Sequence, residues 1–300
     1  MRIKVAIVVL LLAITLGVVG AGVVYTTFNP TTNDPAVEEV DCTMTVMSFN
    51  VRTVNFEFNK NPNDDIELRS PLMLKKIAEV NPDLIGMQEY LFGHETFMKP
   101  ELLKTYDFVG ESRDGSFFGE MSAIYYKKER FELIDSYTYW VSETPEKMSL
   151  GWDATIYRVC TVAILKDKLN DKVIQFGNVH LDHIAKLARE NGTKLVIDRA
   201  VQSEYPAIQV GDFNYGITNK NYKYCTENMD DTRLVAPGAI TTSSYNGWNE
   251  ETINDGGSPI DHIFVTKNDF NVYSYKVHAE LIDGLFASDH FPVVAKIELK

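Results

Sequence analysis

Apolar residues in this chain fall into short runs, and many of those runs stop on a polar or charged side chain. Residues 43–51 alternate polar and apolar positions and end on Asn50 and Arg52, the pattern of a strand with a polar tip. Ser70-Pro71 predicts a helix start, with Ser as N-cap and Pro at the first helical position. Leu72, Leu74, Ile77 and Ala78 then give one apolar face as far as Val80, and Asn81-Pro82-Asp83 breaks the helix. Residues 84–87 are a buried-strand run that closes on Gln88-Glu89, and 95–106 predict a helix interrupted by Pro100. Residues 121–126, 131–140, 157–165 and 172–180 are rich in β-branched and aromatic side chains and predict successive strands. The last of these closes with Asn178-Val179-His180-Leu181-Asp182-His183. A helix weakened by Gly192 is expected over 184–201, then a strand over 207–210 that delivers Gly211-Asp212-Phe213-Asn214. In extended chain Asp212 and Asn214 share one side while Phe213 turns to the other. A long polar segment with Trp248 and Gly256-Gly257 follows. Strands at 260–265, carrying Asp261, and at 271–279 come next, before Ser288-Asp289-His290-Phe291-Pro292 leads into a last apolar run. Strands and helices alternate in both halves, which is an α/β pattern.

The first forty residues differ from this body. Met1-Arg2-Ile3-Lys4 precedes residues 5–24, an uncharged apolar run of the roughly 20 residues a helix needs to cross a bilayer. Residues 1–25 are therefore a signal-anchor or a signal peptide: the full apolar length favours the anchor, and Val19-Gly20-Ala21 offers a small-residue exit for cleavage after residue 21. Arg2 and Lys4 before the span place the N-terminus in the cytoplasm. The expectation is a cell-membrane protein with its catalytic domain extracytoplasmic, or a secreted one if residues 1–21 are removed. Residues 26–40, with Pro30 and Pro35, form a polar linker, and 41–300 form the domain.

Composition narrows the function. With 45% apolar residues the chain can bury a sizeable core. The formal charge is −13, and Arg2 and Lys4 are the only charges in the first thirty residues. The remainder carries 27 basic against 42 acidic side chains, a formal −15. Such a surface repels polyanions at long range and counts against a non-specific grip on DNA or RNA. A small phosphorylated substrate stays compatible, because a bound cation reverses the local field. Cys42, Cys160 and Cys225 have no CxxC spacing, so a thiolate zinc site is not expected; one disulfide between two of them is open.

Asn50, Glu89, His180, Asp212, Asn214, Asp261, Asp289 and His290 all follow or lie in strand-like runs. In an α/β sheet the carboxyl rim is where ligands bind. Charged and imidazole groups gathered there would repel or desolvate one another without a shared cation or substrate. Oxygen-rich ligands with few histidines and no thiolates point to Mg²⁺ or Mn²⁺.

Six motifs in order, Ser48-Phe49-Asn50, Gln88-Glu89, Asn178-Val179-His180-Leu181, Gly211-Asp212-Phe213-Asn214, Ile260-Asp261 and Ser288-Asp289-His290, resemble those of the endonuclease/exonuclease/phosphatase superfamily over nearly the whole body. Gly119-Glu120-Met121-Ser122, Trp140-Val141-Ser142-Glu143 and Gly151-Trp152-Asp153-Ala154 look like a bacterial branch of undefined substrate. The resemblance implies a four-layer α/β sandwich, two packed mixed β-sheets flanked by helices, preceded here by one N-terminal hydrophobic segment. It implies a divalent-metal-dependent phosphoester hydrolase acting on mono- or diesters. Glu89 would ligate Mg²⁺ (or Mn²⁺) with Asn50 nearby and Asp289 close to the metal. Asp212 would orient or deprotonate the attacking water, and Asn214 would hold that water or the phosphoryl oxygens. His290, oriented by Asp261, and His180 would contact the phosphate. Glu120 and Arg158 are either phosphate or supporting contacts, or a structural ion pair. Arg52 stands where some relatives place an acidic ligand, which argues against a second metal there. His94 and His278 take ordinary structural readings, and His262 a surface one. The substrate is a phosphorylated small molecule, a lipid head group or nucleic acid, with the membrane as partner through the N-terminal segment and no obligate protein partner inferred. Three alternatives stand beside this: an anchored or secreted nuclease of the same fold, a binuclear metallophosphoesterase, and an inactive binding protein.

Overall fold

β1 (Met44–Asn50) and β2 (Leu84–Tyr90) lie side by side and parallel at the centre of one sheet, as β7 (Val173–His180) and β8 (Ala207–Asp212) do in a second. This is a computed structural model that describes residues 41–54, 64–253 and 255–300. Around those pairs, β3 (Tyr106–Val109), β4 (Met121–Lys127), β11 (Phe270–Val277) and β12 (Val293–Leu299) complete the first sheet in the order β11-β12-β1-β2-β4-β3. The second sheet, β5-β6-β7-β8-β10-β9, adds β5 (Phe131–Trp140), β6 (Val159–Asp167), β9 (Met229–Asp231) and β10 (Asp261–Thr266). Both sheets are mixed: every pairing outside the two central pairs is antiparallel.

Three apolar clusters make the layers. Val46, Leu84, Ile124, Phe176, Ile208, Val210 and Ile263 meet between the sheets. Met47, Phe49, Met87 and Tyr125 turn to the outer side of the first sheet against Met73 and Ile77 of α1 (Ile66–Val80). Cys160, Val179, Phe213 and Phe264 do the same on the second sheet against Val196 and Ile197 of α4 (Lys186–Val201) and Tyr222 and Cys225 of α5 (Lys220–Asn228). Central strands are thus buried on both faces, and each buried Val, Leu, Ile, Phe or Met contributes about 1.5–3 kcal/mol. The order helix, sheet, sheet, helix is the four-layer sandwich. At Gly86, between the sheets, only glycine fits: a Cβ there would stand 2.4 Å from Val210 Cγ2.

Several sequence expectations shift. α1 begins one turn before Ser70, because Asp65 caps it through Oδ1 to Glu67 N–H at 2.8 Å. Pro71 therefore lies inside the helix rather than at its start. The helix expected over 95–106 is two short ones, α2 (Phe92–Phe97) and α3 (Lys99–Leu102), and Tyr106 opens the edge strand β3. Pro100 sits at a helix start, where its missing N–H goes unused. The polar stretch after Asp212 holds α5, β9, α6 (Thr232–Val235) and a 3₁₀ turn at Glu250–Thr252. His262 is not at the surface: it is buried, with Nε2 3.0 Å from Tyr215 O and its ring against Phe264. All three cysteines are free. The expected anchor or signal and the linker, residues 1–40, lie outside the described residues. Among those described, no helix is long and apolar enough to cross a membrane.

Candidate active site

The topology brings one rim together. β1, β2, β7 and β8 run parallel within their pairs and end there, while β10 and β12 run antiparallel to β8 and β1 and begin there. Asp212 consequently has His180 as its register partner on one side and Asp261 on the other. The Ser288-Asp289-His290 turn enters β12 beside the end of β1, tied by Ser288 Oγ donating to Asn50 O at 2.7 Å. Side chains more than two hundred positions apart thus share one cleft of about 370 Å³.

Local backbone turns the polar groups inward. β2 is bulged against β4 between Met87 and Tyr90, and Glu89 in that bulge has φ 57°. Arg52 and Asn214, each at φ 55°, also hold the left-handed region that non-glycine residues seldom enter. Asn214 is therefore not in extended chain, as the i, i+2 reading supposed. Its N–H caps Asp212 Oδ1 at 2.8 Å, and its Nδ2 donates to Leu181 O at 3.0 Å. Phe213 points away into the outer core, as expected. Gly211, at φ 155°, has Val179 O 2.1 Å from where a Cβ would be, so β8 lies too close to β7 there for any side chain.

Asp212 is the hub. Its Oδ2 accepts from Asn50 Nδ2 at 3.0 Å and lies 3.6 Å from His180 Nε2 and 3.8 Å from His290 Nε2. Burial, and then the charge of Asp261, push its pKa up to about 7. His290 Nδ1 is 2.8 Å from Asp261 Oδ2, which also accepts from Ser244 Oγ at 2.6 Å. Burial disfavours the imidazolium, but the neighbouring Asp261, Asp212 and Asp289 outweigh it and raise His290 to about 10. His180 goes the other way: burial, then Arg158 and Arg113, hold it well below its ordinary value, neutral. Asp212, Asp261 and His290 are the trio of metal-ligating types that converges within 4.8 Å among the described residues. While His290 is protonated it has no lone pair to give, and it stands hydrogen-bonded to Asp261 with Asp212 at ion-pair distance on its other side.

The expected metal group lies alongside. Glu89 and Asp289 both line the cleft. Burial favours neutral Glu89, but hydrogen bonds from Thr53 N–H at 2.7 Å and Asn50 Nδ2 at 3.0 Å prevail and lower its pKa. Asp289 is raised, by burial and by the nearby charge of Glu89. An ionised Glu89, and an Asp289 whose ionisation its charge disfavours, offer oxygen-only donors that fit a hard divalent cation. Asn50 ties Glu89 to Asp212: its Oδ1 accepts Arg52 N–H at 2.9 Å, so the nitrogen faces both carboxylates. Arg52 also places its guanidinium 3.6 Å from Asp289.

Glu120 and Arg158 line the same cleft but do not pair with each other; Glu120 is bound by Arg113, and Arg158 by His183. The His180–His183 run builds no binuclear site: Asp182 Oδ1 caps Ile184 and Ala185 N–H, and His183 Nδ1 accepts from Arg158. His94 is structural, buried with Nδ1 accepting Leu91 N–H at 3.2 Å. His278 pairs with Glu280, away from the cleft. Sequence reasoning missed four contributors: Ser244, Thr53, Tyr245, whose ring meets His290 edge-on at 5.1 Å, and Arg69. Ser244 and Tyr245 lie in a polar stretch with no periodicity to expose them. Asn178, quoted only as part of a motif, joins the sheets by donating to Met87 O and Ala123 O and accepting from Gln88 Nε2.

Comparison with known proteins agrees with this geometry. The model of the Endonuclease/Exonuclease/phosphatase family matches residues 47–290. A family protein of the same description from Bacteroides thetaiotaomicron superposes with TM-score 0.78 at 31% identity, covering 86% of this chain and 98% of that one. A mannosyl-6-phosphatase from the same organism gives TM-score 0.76 at 31% identity over 85% of this chain and 99% of its own. An uncharacterized protein of Acanthamoeba polyphaga mimivirus is 27% identical over 251 residues, 77% of this chain and 92% of that sequence.

Proposed function

The chain belongs to the endonuclease/exonuclease/phosphatase family, and on that premise we propose that it hydrolyses phosphoesters with Asp212 as the base for an attacking water. The observation that carries this reading is the position of Asp212 Oδ2, between two imidazoles and Asn50 at the floor of a cleft that also holds Glu89 and Asp289. Its raised pKa suits a carboxylate that must take a proton near neutrality. Asn214, with one amide hydrogen on Leu181 O, has the other for the water or a phosphoryl oxygen. His290, kept protonated by Asp261, offers Nε2–H to the oxygens that gather charge in the transition state. His180 contributes as a neutral donor. Glu89 and Asp289 would hold Mg²⁺ or Mn²⁺, with Asn50 setting the orientation of Glu89. Bound there, such an ion supplies Lewis-acid stabilisation of phosphoryl oxygens.

Among esters, the printed name of the mannosyl-6-phosphatase supports a phosphorylated small molecule over nucleic acid, and so does the −13 charge. The apolar residues 5–24 support, as a proposal, a body outside the cytoplasm, which fractionation of the expressing cells would check. The central test is a panel of monoesters, diesters and DNA run with Mg²⁺, Mn²⁺ and chelator, beside Asp212→Asn. Turnover is expected with metal and is expected to be lost with chelator and in the variant. Turnover that survives both removes this mechanism.

A further inference from the structure

Asn214 holds a left-handed backbone, φ 55°, and a non-glycine residue stays there only where its surroundings impose it. Asp212 Oδ1 and Leu181 O act on Asn214 directly. Its two chain neighbours are pinned as well. Phe213 N–H donates to Ile260 O at 3.0 Å, and the Phe213 ring packs in the outer core. Tyr215 O lies 3.0 Å from Nε2 of His262, the residue after Asp261 on β10. A carbonyl only accepts, so Nε2 carries the proton. Burial lowers the His262 pKa and leaves the ring a neutral donor. The Tyr215 hydroxyl is 3.1 Å from Thr193 Oγ1 of α4 and 3.3 Å from Cys225 Sγ of α5. Thr193 gives its own proton to Arg189 O at 2.7 Å, so the tyrosine donates to Thr193 and the thiol donates to the tyrosine.

Alternation along β10 lets one strand serve both of its faces. Asp261, the register partner of Asp212, turns to the face that carries Ile263 and holds His290. His262 turns with Phe264 to the opposite face and is 1% exposed. Its ring centroid is 5.6 Å from that of Phe213, 5.3 Å from Tyr222 and 5.4 Å from Phe264, and these aromatic neighbours fix the orientation of the imidazole. Phenylalanine would serve such packing equally. What imidazole adds is the bond to Tyr215 O, one residue past Asn214. Resting on the hydrolase reading above, we propose that His262 is a positioning residue: it clamps Tyr215 from the outer face of the sheet and so keeps the Asn214 carboxamide aimed at the attacking water or a phosphoryl oxygen.

His262→Phe keeps a ring and removes the donor. With Mg²⁺, on whichever of p-nitrophenyl phosphate and bis-p-nitrophenyl phosphate the chain turns over faster, kcat should fall about tenfold with KM within about twofold. His262→Gln, whose amide donates from a similar reach, should lose only about threefold. A double-mutant cycle separates positioning from general loosening. In Asn214→Gly, which accepts the left-handed backbone and lacks the carboxamide, His262→Phe should cost less than about twofold further. Hydrogen–deuterium exchange of the full chain reads the clamp without turnover: amides 213–216 should exchange about tenfold faster in His262→Phe and stay near wild type in His262→Gln. Thermal unfolding checks each variant; if His262→Phe does not fold, His262→Asn, too short to reach Tyr215 O, is read against His262→Gln. Unchanged exchange over 213–216, or the same tenfold loss in both Asn214 backgrounds, overturns the assignment. Exchange that responds as stated in a chain that turns over neither ester keeps the clamp and removes the hydrolase reading.

Discussion

Asp212 and His290 titrate in opposite senses, and the cause is shared. Asp261 raises both: its charge disfavours a second carboxylate at Asp212 and favours the imidazolium at His290. Activity that needs Asp212 ionised rises as pH climbs towards about 7, and activity that needs His290 protonated falls as pH passes about 10. The expected kcat/KM profile is a bell. Asp261→Asn removes the shared cause, so both limbs should move to lower pH; a purely structural role for Asp261 would lower the whole curve without moving either limb. Asn50 makes the complementary case. Its Nδ2 favours ionised Asp212, so Asn50→Ala should carry the acid limb to higher pH, and losing a hydrogen bond to a charged group costs about 1.5–3 kcal/mol. The linkage has a definite sign for stability too. His290, raised above its ordinary 6.5, stabilises the fold fully below that value and loses the contribution as pH rises through about 10.

Glu89 shows how an element holds a ligand in place. The bulge in β2 aims its carboxylate, Thr53 N–H anchors Oε2, and Thr53 is itself held from α1. There Arg69, 1% exposed, donates to Val51 O at 2.7 Å, Arg52 O at 3.2 Å and Thr53 O at 3.3 Å. Arg69→Met leaves three carbonyls without that donor and frees the loop. Titration with Mn²⁺ should show affinity weakened about tenfold, and thermal unfolding a loss of a few kcal/mol. Mn²⁺ affinity equal to wild type would reduce Arg69 to packing. Helix and loop supports of this kind were not legible in the sequence. Strand ends were, because a strand buried on both faces is an apolar run and the rim residue interrupts it: Glu89, His180 and Asp212 stand out on that account alone. α5 did not, since Lys220–Asn228 is polar except for Tyr222, Tyr224 and Cys225, and β9 is three residues, two of them Asp. Asn214 misled for a related reason. Spacing of two means one face only while the backbone is extended, and an aspartate capping the next N–H but one draws the chain into the left-handed region instead.

For the whole molecule, charge and topology pull against each other. Two sheets with parallel central pairs deliver both signs of charge to one rim, where Arg52, Arg113, Arg158 and His290 line the cleft beside Glu89, Glu120, Asp212 and Asp289. The surface outside stays acidic, at a net −13 for the chain. An anionic substrate therefore meets repulsion at long range and finds cationic donors at contact distance only inside the cleft, where protein screens little of the field. Salt acts on the first more than on the second, because the Debye length falls to about 10 Å at 0.1 M. Raising NaCl from about 20 to 200 mM should leave kcat/KM on p-nitrophenyl phosphate unchanged or slightly higher. A protein that tracks nucleic acid through many phosphate contacts behaves oppositely, losing orders of magnitude in affinity over that range as counterions return. Steep loss of rate with salt, accompanied by salt-sensitive binding to duplex DNA, would show that the acidic surface conceals a basic track, and the substrate would then be a polymer.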